Sequence, residues 1–110
     1  MRLIEFRGKS KETGKYVYGN LIVDKENEKY YILKNMKDIL IEVEEETIGQ
    51  FVNENQYGKL YEGMKLYDEY NEENCTLVYD EIDNEFCLEY EDSFKKAKAY
   101  NLDGMIILGN

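Results

Sequence analysis

The sequence predicts a mainly β protein, α+β at most, in which antiparallel strands form a small barrel or two β lobes. Three observations carry this. Runs rich in Val, Ile, Tyr and Phe recur between short polar turns. Several of them alternate with period two. Only residues 93–100 show helical spacing. A chain of 110 residues is one domain by size, residues 1–110, and the polar middle near 47–63 is a hinge between lobes if there are two. Eleven tyrosines favour half-buried, amphipathic surfaces, and the absence of proline leaves charged side chains to protect strand edges.

In chain order, Arg2 to Phe6 alternates as a short strand, and Arg7 to Lys15 (R-G-K-S-K-E-T-G-K) reads as a glycine-bearing hairpin connection. Tyr16 to Val23 is β-branched and aromatic, with Gly19 marking a bulge or a close backbone approach. Asp24 to Glu28 turns, Lys29 to Lys34 returns as a strand, and Asn35 to Asp38 turns again. Between Ile39 and Glu45, the residues Ile39, Ile41 and Val43 point one way, and Glu42 and Glu44 the other. Thr47 to Met64 is polar and holds three of the eight glycines, so it reads as a connector between two β-rich halves. Lys65 to Tyr70 is a strand and Asn71 to Asn74 a turn.

Cys75 to Asp80 and Glu85 to Glu91 register as a hairpin around residues 81–84. This sets Tyr79 across from Phe86, Leu77 across from Leu88 and Cys75 across from Tyr90, an apolar face with Cys87 on the opposite one. Thiols on different faces cannot reach disulfide geometry, so both cysteines are expected to be free, as in a reducing cytoplasm. Asp92 or Ser93 can cap a short helix over residues 93–100, with Phe94, Ala97 and Tyr100 inward and Lys95, Lys96 and Lys98 outward. Asp103-Gly104 turns into a buried final strand, Met105 to Leu108.

Charge is unevenly distributed. The net value is -10, but residues 61–92 hold twelve acids against Lys65 alone, a local -11, while residues 1–15 carry five bases and two acids, a local +3. Such a field repels phosphate backbones and attracts cationic partners, so direct nucleic-acid binding is not expected. The carboxylates Asp68, Glu69, Glu72, Glu73, Asp80, Glu81, Asp83 and Glu85 are the candidate partner-binding surface. The same layout allows a homo-oligomer in which the basic start of one copy meets the acidic segment of another. Met1 to Arg7 lacks the apolar run of about 7–15 residues that a secretion signal needs, and no run approaches the length of a membrane span. A cytoplasmic protein is therefore expected, with no membrane partner.

The chain has no histidine, which removes the commonest general base and most transition-metal sites. The cysteines lack both C-x-x-C spacing and a histidine partner, and D-E-I-D-N-E at 80–85 is not an EF-hand loop. No catalytic residue, metal site or cofactor is called for, and the chain is not expected to be an enzyme. G-K-S-K at 8–11 lacks the upstream glycine of a phosphate loop. Even so, Arg7, Lys9 and Lys11 beside Tyr16 and Tyr18 are an alternative, nucleotide-like ligand site in which a base stacks on tyrosine.

The blocks I-E-F-R-G-K (4–9), Y-V-Y-G-N-L-I-V (16–23), E-E-T-I-G-Q-F (45–51), G-K-L-Y-E-G (58–63) and I-I-L-G-N (106–110) follow one another as in the YopX-like family of small phage and prophage proteins, which the chain resembles. It departs from that pattern in a shorter central connection and in Met64, where the family has an aspartate. The resemblance implies phage or prophage origin, expression in the cytoplasm of a bacterial host, a mainly β fold with an SH3-like second half, and self-association; it brings no catalytic residues. Together these readings point to a non-catalytic accessory protein that binds a basic or nucleic-acid-binding host protein, such as a defence factor, by charge mimicry. The alternative is a module that binds or sequesters a small nucleotide-like ligand.

Overall fold

A computed structural model describes residues 4–34, 39–93, 95–99 and 102–109. Among them the backbone forms β1 (Phe6–Lys9), β2 (Tyr16–Asp24), β3 (Lys29–Lys34), β4 (Ile39–Val43), a 3-10 turn (Glu45–Thr47), β5 (Gly49–Asn55), β6 (Gly58–Tyr61), β7 (Lys65–Asp68), β8 (Glu73–Asp80), β9 (Glu85–Tyr90), β10 (Lys96–Lys98) and β11 (Met105–Gly109). The fold is mainly β, with one sheet in the order β4-β3-β2-β1-β5-β6 and another in the order β10-β9-β8-β7-β11. Among the described residues, β1 pairs with β2 and β5, β3 with β2 and β4, β7 with β8 and β11, and β9 with β8 and β10, all antiparallel. The chain divides into two compact units, Met1–Phe51 and Val52–Asn110, and the boundary falls inside the 47–63 stretch.

In the first unit the β-branched and aromatic runs pair as their composition demands, Leu21 against Ile32 and Ile32 against Ile41. The sheet curls. Ser10 forms a bridge to Val43, the Lys11 amide donates to the Glu42 carbonyl at 3.1 Å and the Glu44 amide to the Lys9 carbonyl at 3.0 Å, which brings the end of β4 back to β1. Ile32 and Val43 are buried at the centre. Gly19 is required: a Cβ there would stand 2.1 Å from the Leu33 carbonyl oxygen, the close approach that its place in a strand suggests. The inward face expected of β4 is graded, because Val43 is buried while Ile39 stays exposed. The turn expected at 35–38 lies outside the described residues.

The first strand differs from expectation. It spans Phe6–Lys9 instead of Arg2 to Phe6, because Arg7 and Gly8, which read as turn residues, pair with Tyr18 and Val17 of β2, and Arg7 also with Gly49 of β5. Residues 2 and 3 lie outside the described ones. The polar connector expected over 47–64 is likewise corrected: most of it forms β5 and β6, joined by a two-residue turn at Gln56 and Tyr57.

The second unit holds the larger core: Leu60, Tyr61, Met64, Leu66, Cys75, Leu77, Leu88, Tyr90, Leu102 and Met105 are buried. Met64 is buried in this core, and its Sδ accepts the Tyr61 amide at 3.4 Å. The β8–β9 hairpin has the register read from alternation, with Cys75 across from Tyr90, Leu77 from Leu88 and Tyr79 from Phe86. Cys87 pairs with Val78 on the other face, and both thiols are free and buried. Burial pushes the Cys75 thiol up to about 11, helped by the nearby Asp68.

The helix expected over residues 93–100 is not formed by the described part of that segment. Lys96, Ala97 and Lys98 are strand β10, paired with Glu89, Leu88 and Cys87. An eight-residue helix has little stability of its own, whereas the free edge of β9 offers hydrogen bonds to any extended chain beside it. Lys98 also gains Glu85 at 3.5 Å, and Lys96 approaches Asp80 at 4.0 Å. In this sheet β10 and β11 are the two edges, so among the described residues it is open and does not close into a barrel.

Candidate functional site

The eight candidate carboxylates fall at the two ends of β8. Asp68, Glu69, Glu72 and Glu73 lie at the β7–β8 turn, and Asp80, Glu81, Asp83 and Glu85 at the β8–β9 turn. An eight-residue strand separates them by roughly 23 Å, so they form two acidic tips and not one patch. Glu69, Glu72, Glu81 and Asp83 are exposed. Glu73 accepts the Ser93 amide and hydroxyl, Asp80 accepts the amides of Ile82 and Asp83, and Glu85 holds Lys98. Charge follows the division of the chain: the first unit has nine Lys and Arg against ten Asp and Glu, net -1, and the second has five against fourteen, net -9.

Asp68 has a different role from its neighbours. It is 5% exposed. Its Oδ1 accepts the amides of Tyr70 (2.9 Å) and Asn71 (3.2 Å), and its Oδ2 accepts Asn71 Nδ2 (2.7 Å) and the Tyr90 hydroxyl (2.6 Å). Burial pushes the Asp68 carboxyl up, but the hydrogen bonds from Tyr90 and Asn71 outweigh it and hold the group below the ordinary aspartate value. Tyr90 is pushed well up, first by its own burial and then by the adjacent carboxylate. Asp68 is thus an anionic structural bolt that fixes the backbone of the first tip.

Beside that bolt lies a cavity of about 520 Å³ within the second unit. Leu88 and Met105 form its apolar floor, the turn-borne Tyr57 and Tyr70 its rim, and Asp68 and Glu69 its acidic wall. Both rims are pinned. The Tyr70 amide is held by Asp68, the Tyr57 amide donates to Asn55 Oδ1 at 2.8 Å, and Asn55 Nδ2 in turn donates to the carbonyls of Leu102 (2.8 Å) and Met105 (2.9 Å). Lys98 also lines the cavity, next to Glu85.

The alternative ligand residues are largely brought together. The β1–β2 register sets Arg7 across from Tyr18 and Lys9 across from Tyr16, which places all four on one sheet face. Arg7 is 1% exposed, with its guanidinium 4.2 Å over the Tyr16 ring. Lys11 stands apart, beyond the strand end, and pairs with Glu42 at 3.0 Å; that hydrogen bond and charge hold its ammonium above the ordinary lysine value. Two of the three cations are therefore already engaged by the protein itself.

The chain matches no family model, no curated protein and no solved structure. Among the described residues, no group of three His, Cys, Asp or Glu is arranged to hold a metal ion, and no helix is long and apolar enough to cross a membrane. Sequence reasoning did not single out Tyr57, Tyr70, Leu88 and Met105 as a site. The available signal was a tyrosine inside each of two polar turns, N-Q-Y-G and D-E-Y-N, but the pairing that makes them rims of one cavity is tertiary.

Proposed function

We propose that this chain is a non-catalytic phage or prophage accessory protein that binds a basic host protein, of the nucleic-acid-processing or defence type, through its second unit. The observation that carries this reading is the concentration of charge: net -9 on Val52–Asn110 against -1 on Met1–Phe51, with exposed carboxylates at both ends of β8. A field of that sign speeds encounter with a basic protein and repels nucleic acid, the behaviour a charge mimic needs. Exposed tyrosines beside the first tip supply contact area at small entropic cost.

The nucleotide reading ranks second, since Arg7 is enclosed and Lys11 is held by Glu42. The deciding experiment is capture from host lysate on immobilised protein at low and high salt. A basic protein retained at low salt and released at high salt is expected. Retention of nothing, or of a partner indifferent to salt, removes the reading.

A further inference from the structure

The cavity beside Asp68 has more specific chemistry than the acidic tips around it. Buried Leu88 and Met105 give it an apolar floor, its rim carries Tyr57, 47% exposed, and Tyr70, 98% exposed, and its lining holds the carboxylates Asp68 and Glu69 together with one cation, Lys98, whose charge is paired with Glu85 at 3.5 Å. A ligand with an apolar stem and a cationic head satisfies all three, because the stem covers Leu88 and Met105 while the head meets tyrosine faces and a carboxylate. At about 520 Å³ the space is in the range of ligand sites and larger than one side chain, so flanking residues of a peptide enter with it.

We infer that this cavity receives an arginine side chain of the basic partner, with its guanidinium between Tyr57, Tyr70 and Glu69. This rests on the protein-binding reading above and names the contact that reading lacks. Arginine is favoured over lysine because a planar, weakly hydrated guanidinium stacks on aromatic rings and can bind a carboxylate through two parallel hydrogen bonds. Glu69 is the carboxylate available to it. The four acceptor positions of Asp68 are filled by the Tyr70 and Asn71 amides, Asn71 Nδ2 and Tyr90, so Asp68 contributes field and rigidity. The pinned rims matter for affinity, since the turns carrying both tyrosines are ordered before the ligand arrives.

The test is an NMR titration of the isotopically labelled full chain with three blocked tripeptides, Gly-Arg-Gly, Gly-Lys-Gly and Gly-citrulline-Gly. Citrulline keeps the shape of arginine without its charge. The expected result is saturable shifts of the Tyr57, Tyr70, Leu88 and Met105 amides with the arginine peptide, weaker binding of the lysine peptide, and none of the citrulline peptide. Tyr57→Ala and Glu69→Gln are each expected to weaken the arginine peptide about two- to fivefold, as an exposed cation–π or ion-pair contact does. Both positions are exposed, and unchanged amide dispersion in each variant shows that its fold is kept.

Equal binding of citrulline, or shifts as large at residues 81–84 as at the cavity, overturns the assignment. Lysine binding as well as arginine overturns the guanidinium preference. If Tyr57→Ala binds the captured basic protein with unchanged affinity, the pocket falls and the protein-binding reading stands. If the arginine peptide binds the cavity but the chain captures no basic protein, the pocket stands and the protein-binding reading falls.

Discussion

Replacing Asp68 with Asn tests whether a buried carboxylate holds the first acidic tip. The carboxylate accepts two donors on each oxygen, and the amide of Asn places an NH₂ group where Asn71 Nδ2 and the Tyr90 hydroxyl now donate. Hydrogen bonds to charged groups contribute about 1.5–3 kcal/mol each, and the Tyr90 hydroxyl can rotate to accept, so one such contribution is the expected loss. With a urea slope of about 2 kcal/mol per molar, the unfolding midpoint falls by roughly 1 M. Tyr90→Phe removes one donor and is expected to cost about 1–2 kcal/mol. Unfolding is followed by far-UV circular dichroism, because the chain has no tryptophan.

The pH dependence has a defined sign. The folded Asp68 carboxyl lies below its ordinary value, so its stabilisation is present above the unfolded value, about 3.9, and is lost as pH falls through the folded one. The stability difference between native protein and Asp68→Asn should therefore be full at neutral pH and shrink in strong acid. Taking that difference cancels most of the general charge repulsion of a chain at -10. A difference unchanged with pH, or Tyr90→Phe within about 0.5 kcal/mol of the native protein, would refute the reasoning.

Gly19→Ala should destabilise by about 3 kcal/mol or more, because the new Cβ meets the Leu33 carbonyl and not a movable side chain; Gly104→Ala, with open space around it, should stay within about 0.5 kcal/mol, and urea unfolding compares them. A thiol reagent should titrate two cysteines per chain in the denatured, unreduced protein and almost none in the native one, where both are buried; a denatured count of zero would mean that they pair. Nucleotides should leave the melting curve flat, whereas a true ligand at 100 times its dissociation constant adds about 2.7 kcal/mol.

Much of the fold was legible where local pattern and final pairing agree. β2, β3, β8 and β9 are dense in β-branched and aromatic residues, and alternation alone set Leu77 against Leu88. Local pattern and final structure part where tertiary pairing decides. Arg7 and Gly8 have turn-like chemistry, but they lie between β2 and β5, and the K-K-A-K segment favours helix until the edge of β9 is available. The site was less legible still. Nothing in composition distinguishes the buried Asp68 from the exposed Glu69, and the eight acids chosen by sequence divide between two tips because β8 runs between them. Tyr57 and Tyr70 face one cavity only through the fold of the second unit.

The most direct measurement is the affinity of the native chain for its captured basic partner, compared with that of a Glu69→Gln, Glu72→Gln, Glu81→Gln, Asp83→Asn variant, at two salt concentrations. Exposed carboxylates at both ends of β8 predict weaker binding by the variant at low salt, a smaller salt dependence, and affinities that converge at high salt. Equal affinity and equal salt dependence of the two proteins would contradict the account.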